Sequence, residues 1–206
     1  MHVASGLGGP VEKGTLGEGL AEAVSAACVA LGAGVSSSYW SASAEESAFD
    51  SEAAAVSGGI DLMAVDGASL FALGLADGGD GHRALRVCVD TAWNVTRAVV
   101  SGVFLPTAAG EGEPSAEASE PPARRGGRIV YLTPSPDAGE YADAARAGLE
   151  NLARTLSIEW ARHGITTVTI APGAGTSAGE VAALTAYLAS PAGAYFSGCL
   201  LDLRGP

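Results

Sequence analysis

Hydrophobic and polar positions are most clearly ordered in the last eighty residues of the chain. Arg128 to Leu132 (RIVYL) is a short apolar run with β-branched residues, which predicts a buried strand. From Tyr141 to His163, the residues Ala145, Leu149, Leu152, Leu156, Ile158 and Trp160 recur at helical spacing, and Gly164 supplies a stop. Ile165 to Ala171 (ITTVTIA) predicts a second strand closed by Pro172-Gly173, Glu180 to Leu188 a helix, and Cys199 to Leu203 (CLLDL) a last strand. Strand, helix, strand, helix, strand is the pattern of a parallel sheet with crossover helices.

The first half predicts more of the same with weaker periodicity. A strand stub at Met1 to Ser5 precedes a helix over Gly17 to Leu31 and a short strand within Gly32 to Trp40. A helix over Glu45 to Val56 and a strand over Ile60 to Val65 follow, then one long helix from Arg83 to Leu105 through Val87, Val95, Ala98 and Val99. Pro106 to Gly127 (PTAAGEGEPSAEASEPPARRGG) has no period, four glutamates and four prolines, and reads as a solvated acidic loop ending in the solvated pair Arg124-Arg125. There are no internal repeats. The prediction is one domain, residues 1–206, of α/β class: a Rossmann-like, doubly wound parallel sheet, truncated in its N-terminal half.

Composition narrows the function. Apolar residues make up 48% and charged residues 17% of 206, which excludes a disordered or fibrous chain. A net charge of −12 argues against nucleic acid and anionic membrane surfaces as partners. The stretch Ala23 to Val35 is too short to span a bilayer, no signal-peptide pattern opens the sequence, and three scattered cysteines (Cys28, Cys88, Cys199) suit reduced thiols, so the expected location is the cytoplasm. Cys88 reads as a core residue, and Trp93 and Trp160 as core or interface residues on the long helices. The three histidines, His2, His82 and His163, do not pair with cysteines at ligand spacing, so no metal is expected. Gly175 to Gly179 (GTSAG) matches the nucleophile-elbow spacing, but every histidine precedes Ser177, the wrong order for an α/β-hydrolase, and the match reads as chance. Of eleven basic residues ten are arginines; the only lysine is Lys13.

Several segments resemble the short-chain dehydrogenase/reductase family: Gly127 to Val130, ARAGLENLARTLSIEWARHGI (Ala145 to Ile165), APG (Ala171 to Gly173), EVAALTAYLASP (Glu180 to Pro191), SGCLLDLRG (Ser197 to Gly205), VCVDTAWNVTRAV (Val87 to Val99) and IDLMAVDGA (Ile60 to Ala68). The resemblance implies a Rossmann-like fold, NAD(P), and hydride transfer to or from a carbonyl. It also implies a tyrosine acid, a lysine that lowers its pKa and holds the nicotinamide ribose, a serine that positions the carbonyl, and an asparagine in the preceding helix. Here the lysine position reads Arg146 and the tyrosine position Ala142, with Tyr141 one residue further back. The serine position reads Pro134, flanked by Thr133 and Ser135, and the asparagine position Cys88. Arginine keeps the charge but differs in geometry and does not deprotonate. The family's Asn-Asn-Ala-Gly reads Val65-Asp66-Gly67-Ala68.

Cofactor contacts carried over by the resemblance are Gly14, Gly17, Gly67, Pro172 and Gly173, with Glu12 and Glu18 placed to repel a phosphate. Only Ala-Gly-Thr-Ser-Ala-Gly stands where the family has its substrate-covering loop. The expectation is therefore an oxidoreductase-like protein with a degenerate active site and no cofactor. It would be a structural or regulatory subunit, forming a homo-oligomer, or a hetero-oligomer with an active homologue, through helices 83–105 and 141–163 and the C-terminal strand. The alternative is an active NAD(P)H-dependent ketoreductase using the displaced Tyr141, supported by Arg146 and Ser135 or Thr133. A third reading is a small-molecule binding module.

Overall fold

The apolar runs of the second half form the centre of a parallel sheet. In a computed structural model, which describes residues 2–4, 19–38, 46–55, 60–105 and 126–204, Gly127–Leu132 (β4) pairs with Ile165–Pro172 (β5) from Gly127 opposite Ile165 to Leu132 opposite Ile170. Leu62–Asp66 (β3) flanks β4 on one side and Cys199–Leu203 (β6) flanks β5 on the other. His2–Ala4 (β1) pairs with β3 and Ser36–Ser38 (β2) with β1, so the order is β2-β1-β3-β4-β5-β6 with every pairing parallel. Sequential strands pass on both sides of β1, the doubly wound arrangement in which ligands bind beyond the carboxyl ends of the strands.

Alternation along the strands feeds two cores. Met63, Val65, Ile129 and Tyr131 point to one face, where they meet Phe49, Phe71, Cys88, Ala92 and Leu149. Leu62, Ala64, Val130, Leu132, Val168 and Ile170 point to the other, against Leu20, Val24, Cys28, Val181 and Leu188. Strands buried on both faces lose the apolar–polar alternation of a half-exposed sheet, which is why RIVYL and ITTVTIA read as near-continuous apolar runs.

The helices are Leu20–Ala30 (α1), Glu46–Ala55 (α2), Gly67–Leu75 (α3), Gly81–Val99 (α4), Ala142–Glu159 (α5) and Ala178–Ala189 (α6). Helix α3 has no counterpart in the sequence reading, because GASLFALGL is apolar on all sides and carries no amphipathic period. The long helix expected over 83–105 begins at Gly81, where Asp80 caps it by accepting from the Arg83 amide at 2.8 Å. It yields at Val100 to a π-helical turn, Val100–Phe104, closed by Leu105 N donating to Val100 O. The helix expected over 141–163 is α5 followed by a separate 3₁₀ turn, Ala161–His163. The acidic segment lies outside the described residues except for its last two, of which Gly127 opens β4.

Ion pairs join two neighbouring helices, and an arginine clamp joins the sheet to a helix. Arg97 on α4 meets Glu46 and Asp50 of α2, both at 3.0 Å. Arg128 on β4 donates to the carbonyls of Leu188 and Ser190 at the end of α6, where a helix leaves its last carbonyls unpaired. No helix among the described residues is long and apolar enough to cross a membrane.

Candidate active-site rim

The resemblance places its functional positions at the carboxyl ends of β3, β4 and β5, and the structure shows what each residue does there. Arg146 sits one turn into α5 and is 8% exposed. Its Nη1 donates to the Pro134 carbonyl at 2.7 Å, to the Pro172 carbonyl at 2.8 Å and to Thr133 Oγ1 at 3.4 Å, and Nε lies 3.8 Å from Asp143 Oδ1. The guanidinium thus bridges the chain leaving β4 to the last residue of β5. Burial first, and Arg204 second, pull its pKa below the ordinary guanidinium value, while Asp143 and Asp202 oppose them. With acceptors this close it stays charged.

Thr133 is fully buried, and its hydroxyl donates to the Pro134 carbonyl. Ser135 donates instead to Asp137 Oδ1. Tyr141 is the residue immediately before α5, in a left-handed conformation (φ 66°, ψ 11°). Its ring stacks on His82 with centroids 4.4 Å apart and covers Gly81 at the start of α4; it is 38% exposed. Thr133 and Arg146 therefore come together, while Ser135 and Tyr141 have partners elsewhere. Ala142, at the tyrosine position, is buried.

At the end of β3, Asp66 is fully buried and caps α3, with Oδ1 accepting from the Ser69 amide at 2.9 Å and Oδ2 lying 2.7 Å from Ser69 Oγ. Burial outweighs these hydrogen bonds and pushes its pKa up to about 6. Cys88, at the asparagine position, is buried and donates its thiol to the Gly67 carbonyl at 3.3 Å. Burial, with Asp66 beside it, pushes that thiol's pKa up, so it is a packed core thiol rather than a nucleophile.

The described glycines at the cofactor positions have packing reasons of their own. A Cβ on Gly67 would lie 2.6 Å from Leu149 Cδ1 and 2.7 Å from the Leu132 carbonyl. One on Gly173 would lie 3.0 Å from Arg204 Cα. Pro172 gives its carbonyl to Arg146. Gly14, Gly17, Glu12, Glu18 and Lys13 lie outside the described residues. The cation at the lysine position faces backbone carbonyls, and Gly67 and Gly173 make room for the protein's own atoms.

Sequence reasoning passed over Thr176, Asp202 and Arg204. The Thr176 hydroxyl accepts from Gly173 N at 2.8 Å and donates to the Leu203 carbonyl at 3.2 Å, closing the turn after β5 onto the end of β6. Arg204 grips Asp202 through Nε and Nη2, which holds the Asp202 carboxyl down to about 2. No periodic signal marks such contacts. Ser177 is the N-cap of α6 in a reciprocal box with Glu180: its hydroxyl donates to Oε2 at 2.8 Å and accepts from the Glu180 amide at 3.3 Å. That accounts for the Gly-Thr-Ser-Ala-Gly match. Among the described residues no group of three His, Cys, Asp or Glu gathers as a metal site would need.

No protein-family model and no curated protein matches the chain by sequence. Solved structures do match by fold. The structure of BdcA (YjgI) from E. coli superimposes with a TM-score of 0.60 at 16% identity, covering 98% of this chain and 96% of that one. Acetoin dehydrogenase from Enterobacter cloacae gives 0.63 at 18% identity, over 98% and 93% of the two chains. Hydroxysteroid dehydrogenase from Escherichia coli gives 0.64 at 14% identity, over 100% and 96%. At such identities the likeness establishes the fold. This chain has a Rossmann-like α/β fold of the kind that these dehydrogenases use.

Proposed function

We propose that the chain is a short-chain dehydrogenase/reductase-type protein whose redox site has been dismantled, and that it acts as a structural or regulatory subunit. It associates with itself or with an active homologue through the outer surfaces of α4 and α5 and through β6, and it holds no NAD(P). The observation that carries this reading is the bonding of Arg146. A cation that activates a tyrosine and grips a ribose must present donors to both, and the donors of Nη1 are directed at the carbonyls of Pro134 and Pro172. Tyr141, the nearest candidate acid, has its ring packed against His82 at a tilt of 34°. Trp93, 39% exposed on α4, and Ile158, 77% exposed on α5, are apolar surface suited to an association face.

The test is to incubate the purified chain with NADH or NADPH and a panel of ketones and aldehydes, following nucleotide absorbance. No turnover above buffer is expected. Sustained turnover that Tyr141→Phe abolishes would overturn the proposal in favour of a working reductase. Native mass spectrometry of the protein from its source is expected to show a second chain and no nucleotide.

A further inference from the structure

Three oxygens converge on one nitrogen between the ends of β4 and β5. Pro134 O, Pro172 O and Thr133 Oγ1 all lie within hydrogen-bond distance of Arg146 Nη1, and the side chain that brings this nitrogen is nine-tenths buried. Removing the guanidinium would leave the Pro172 carbonyl without this donor and the Pro134 carbonyl with the Thr133 hydroxyl alone. A buried acceptor deprived of its donor costs more than an ordinary hydrogen bond contributes.

We propose that Arg146 is a built-in occupant of the rim: its guanidinium stands where a ligand's donors would stand in a sheet of this winding and ties the ends of β4 and β5 without any ligand. The proposal deepens the reading of a dismantled site and rests on it, because a rim that fills itself has no place for a cofactor. All three acceptors gather on the single nitrogen Nη1, so the arrangement needs a cationic group that delivers several N–H donors to that one point. Thr176 joins the turn after β5 to the end of β6 with the protein's own groups.

Chemical rescue tests the proposal. Arg146→Ala is expected to melt about 6–12 °C below the parent, from two charge-assisted bonds lost in a chain of this size. Millimolar ethylguanidinium is expected to recover at least half of that loss in Arg146→Ala while leaving the parent unmoved. Tetramethylammonium, a cation with no N–H donor, is expected to recover none of it. If the variant does not fold, its refolding yield with and without ethylguanidinium is the readout, and recovery supports the same conclusion. Arg146→Gln, which keeps N–H donors and loses the charge, gives a second reading and is expected to remain several degrees below the parent. Equal melting of Arg146→Gln and the parent, or no selective rescue, would overturn the proposal. The two readings fail separately: turnover by the parent overturns the dismantled site without touching the rescue, and missing rescue in an inert protein overturns only the built-in occupant.

Discussion

Two buried charges stand at the same end of the sheet and are handled in opposite ways. Arg146, above β4 and β5, is surrounded by acceptors and has a carboxylate 3.8 Å away. Asp66, at the end of β3, has donors from Ser69, and among the described residues no cation offsets its burial. The arginine is held charged at every ordinary pH. The carboxylate is poised near neutrality. Arginine keeps its charge because its intrinsic pKa lies far above ordinary pH even after burial lowers it, whereas burial with no accompanying cation brings a carboxylate into that range. Each is part of the frame: Arg146 as a strut between the ends of two strands, Asp66 as a helix cap.

The largest effect expected at the β3 side comes from space rather than charge. Gly67→Ala drives a methyl into Leu149 and the Leu132 carbonyl, and is expected to destabilise the chain by about 3 kcal/mol or more in urea unfolding. Because one of those neighbours is backbone, Leu149→Ala should relieve only part of the cost. Full relief in the double variant would show that the contact is softer than described.

Asp66 gives the next largest effect, with a definite sign. Its folded pKa of about 6 lies above the ordinary 3.8, so the unfolded chain ionises first as pH rises. Stability then falls between about pH 4 and pH 6, and the loss is complete above that window, amounting to about 2–3 kcal/mol. Asp66→Asn keeps an oxygen for the Ser69 amide and removes the titration. It should exceed the parent by about 2–3 kcal/mol at pH 8 and by nothing near pH 4. A difference independent of pH would contradict the contrast with Arg146.

On the β5–β6 side, Thr176→Val removes one hydroxyl that serves both Gly173 N and Leu203 O, at an expected cost of about 1–2 kcal/mol in the same unfolding assay. Ser177→Ala should cost about 1 kcal/mol through the lost cap of α6. Any hydrolytic activity abolished by that change would revive the nucleophile reading of the same residue.

How much of this was legible in the sequence depends on whether the signal was local. Strands β4 and β5 and helix α5 could be read because apolar runs and a 3.6-residue period are properties of neighbouring positions. The substitution of arginine for lysine at position 146 could be read for the same reason. Its partner at Pro172, distant along the chain and brought near by the parallel pairing of β4 and β5, could not. Helix α3 escaped because uniform burial erases periodicity. Helix α4, expected from Arg83, begins two residues earlier at Gly81 behind its Asp80 cap. Tyr141 shows both limits at once: its offset from Arg146 was countable, whereas its left-handed backbone and its stack on His82 belong to the folded chain alone.

The central claim is that the rim above β4 and β5 is filled by the protein's own groups and takes no dinucleotide. Thermal unfolding in the presence of millimolar NADH or NADPH tests it most directly. The account predicts a melting temperature unchanged to within about 1 °C, because a ligand with no site adds nothing to the folded state. A rise of about 5–10 °C, the shift expected when ligand stands at roughly a hundred times its Kd, would contradict it.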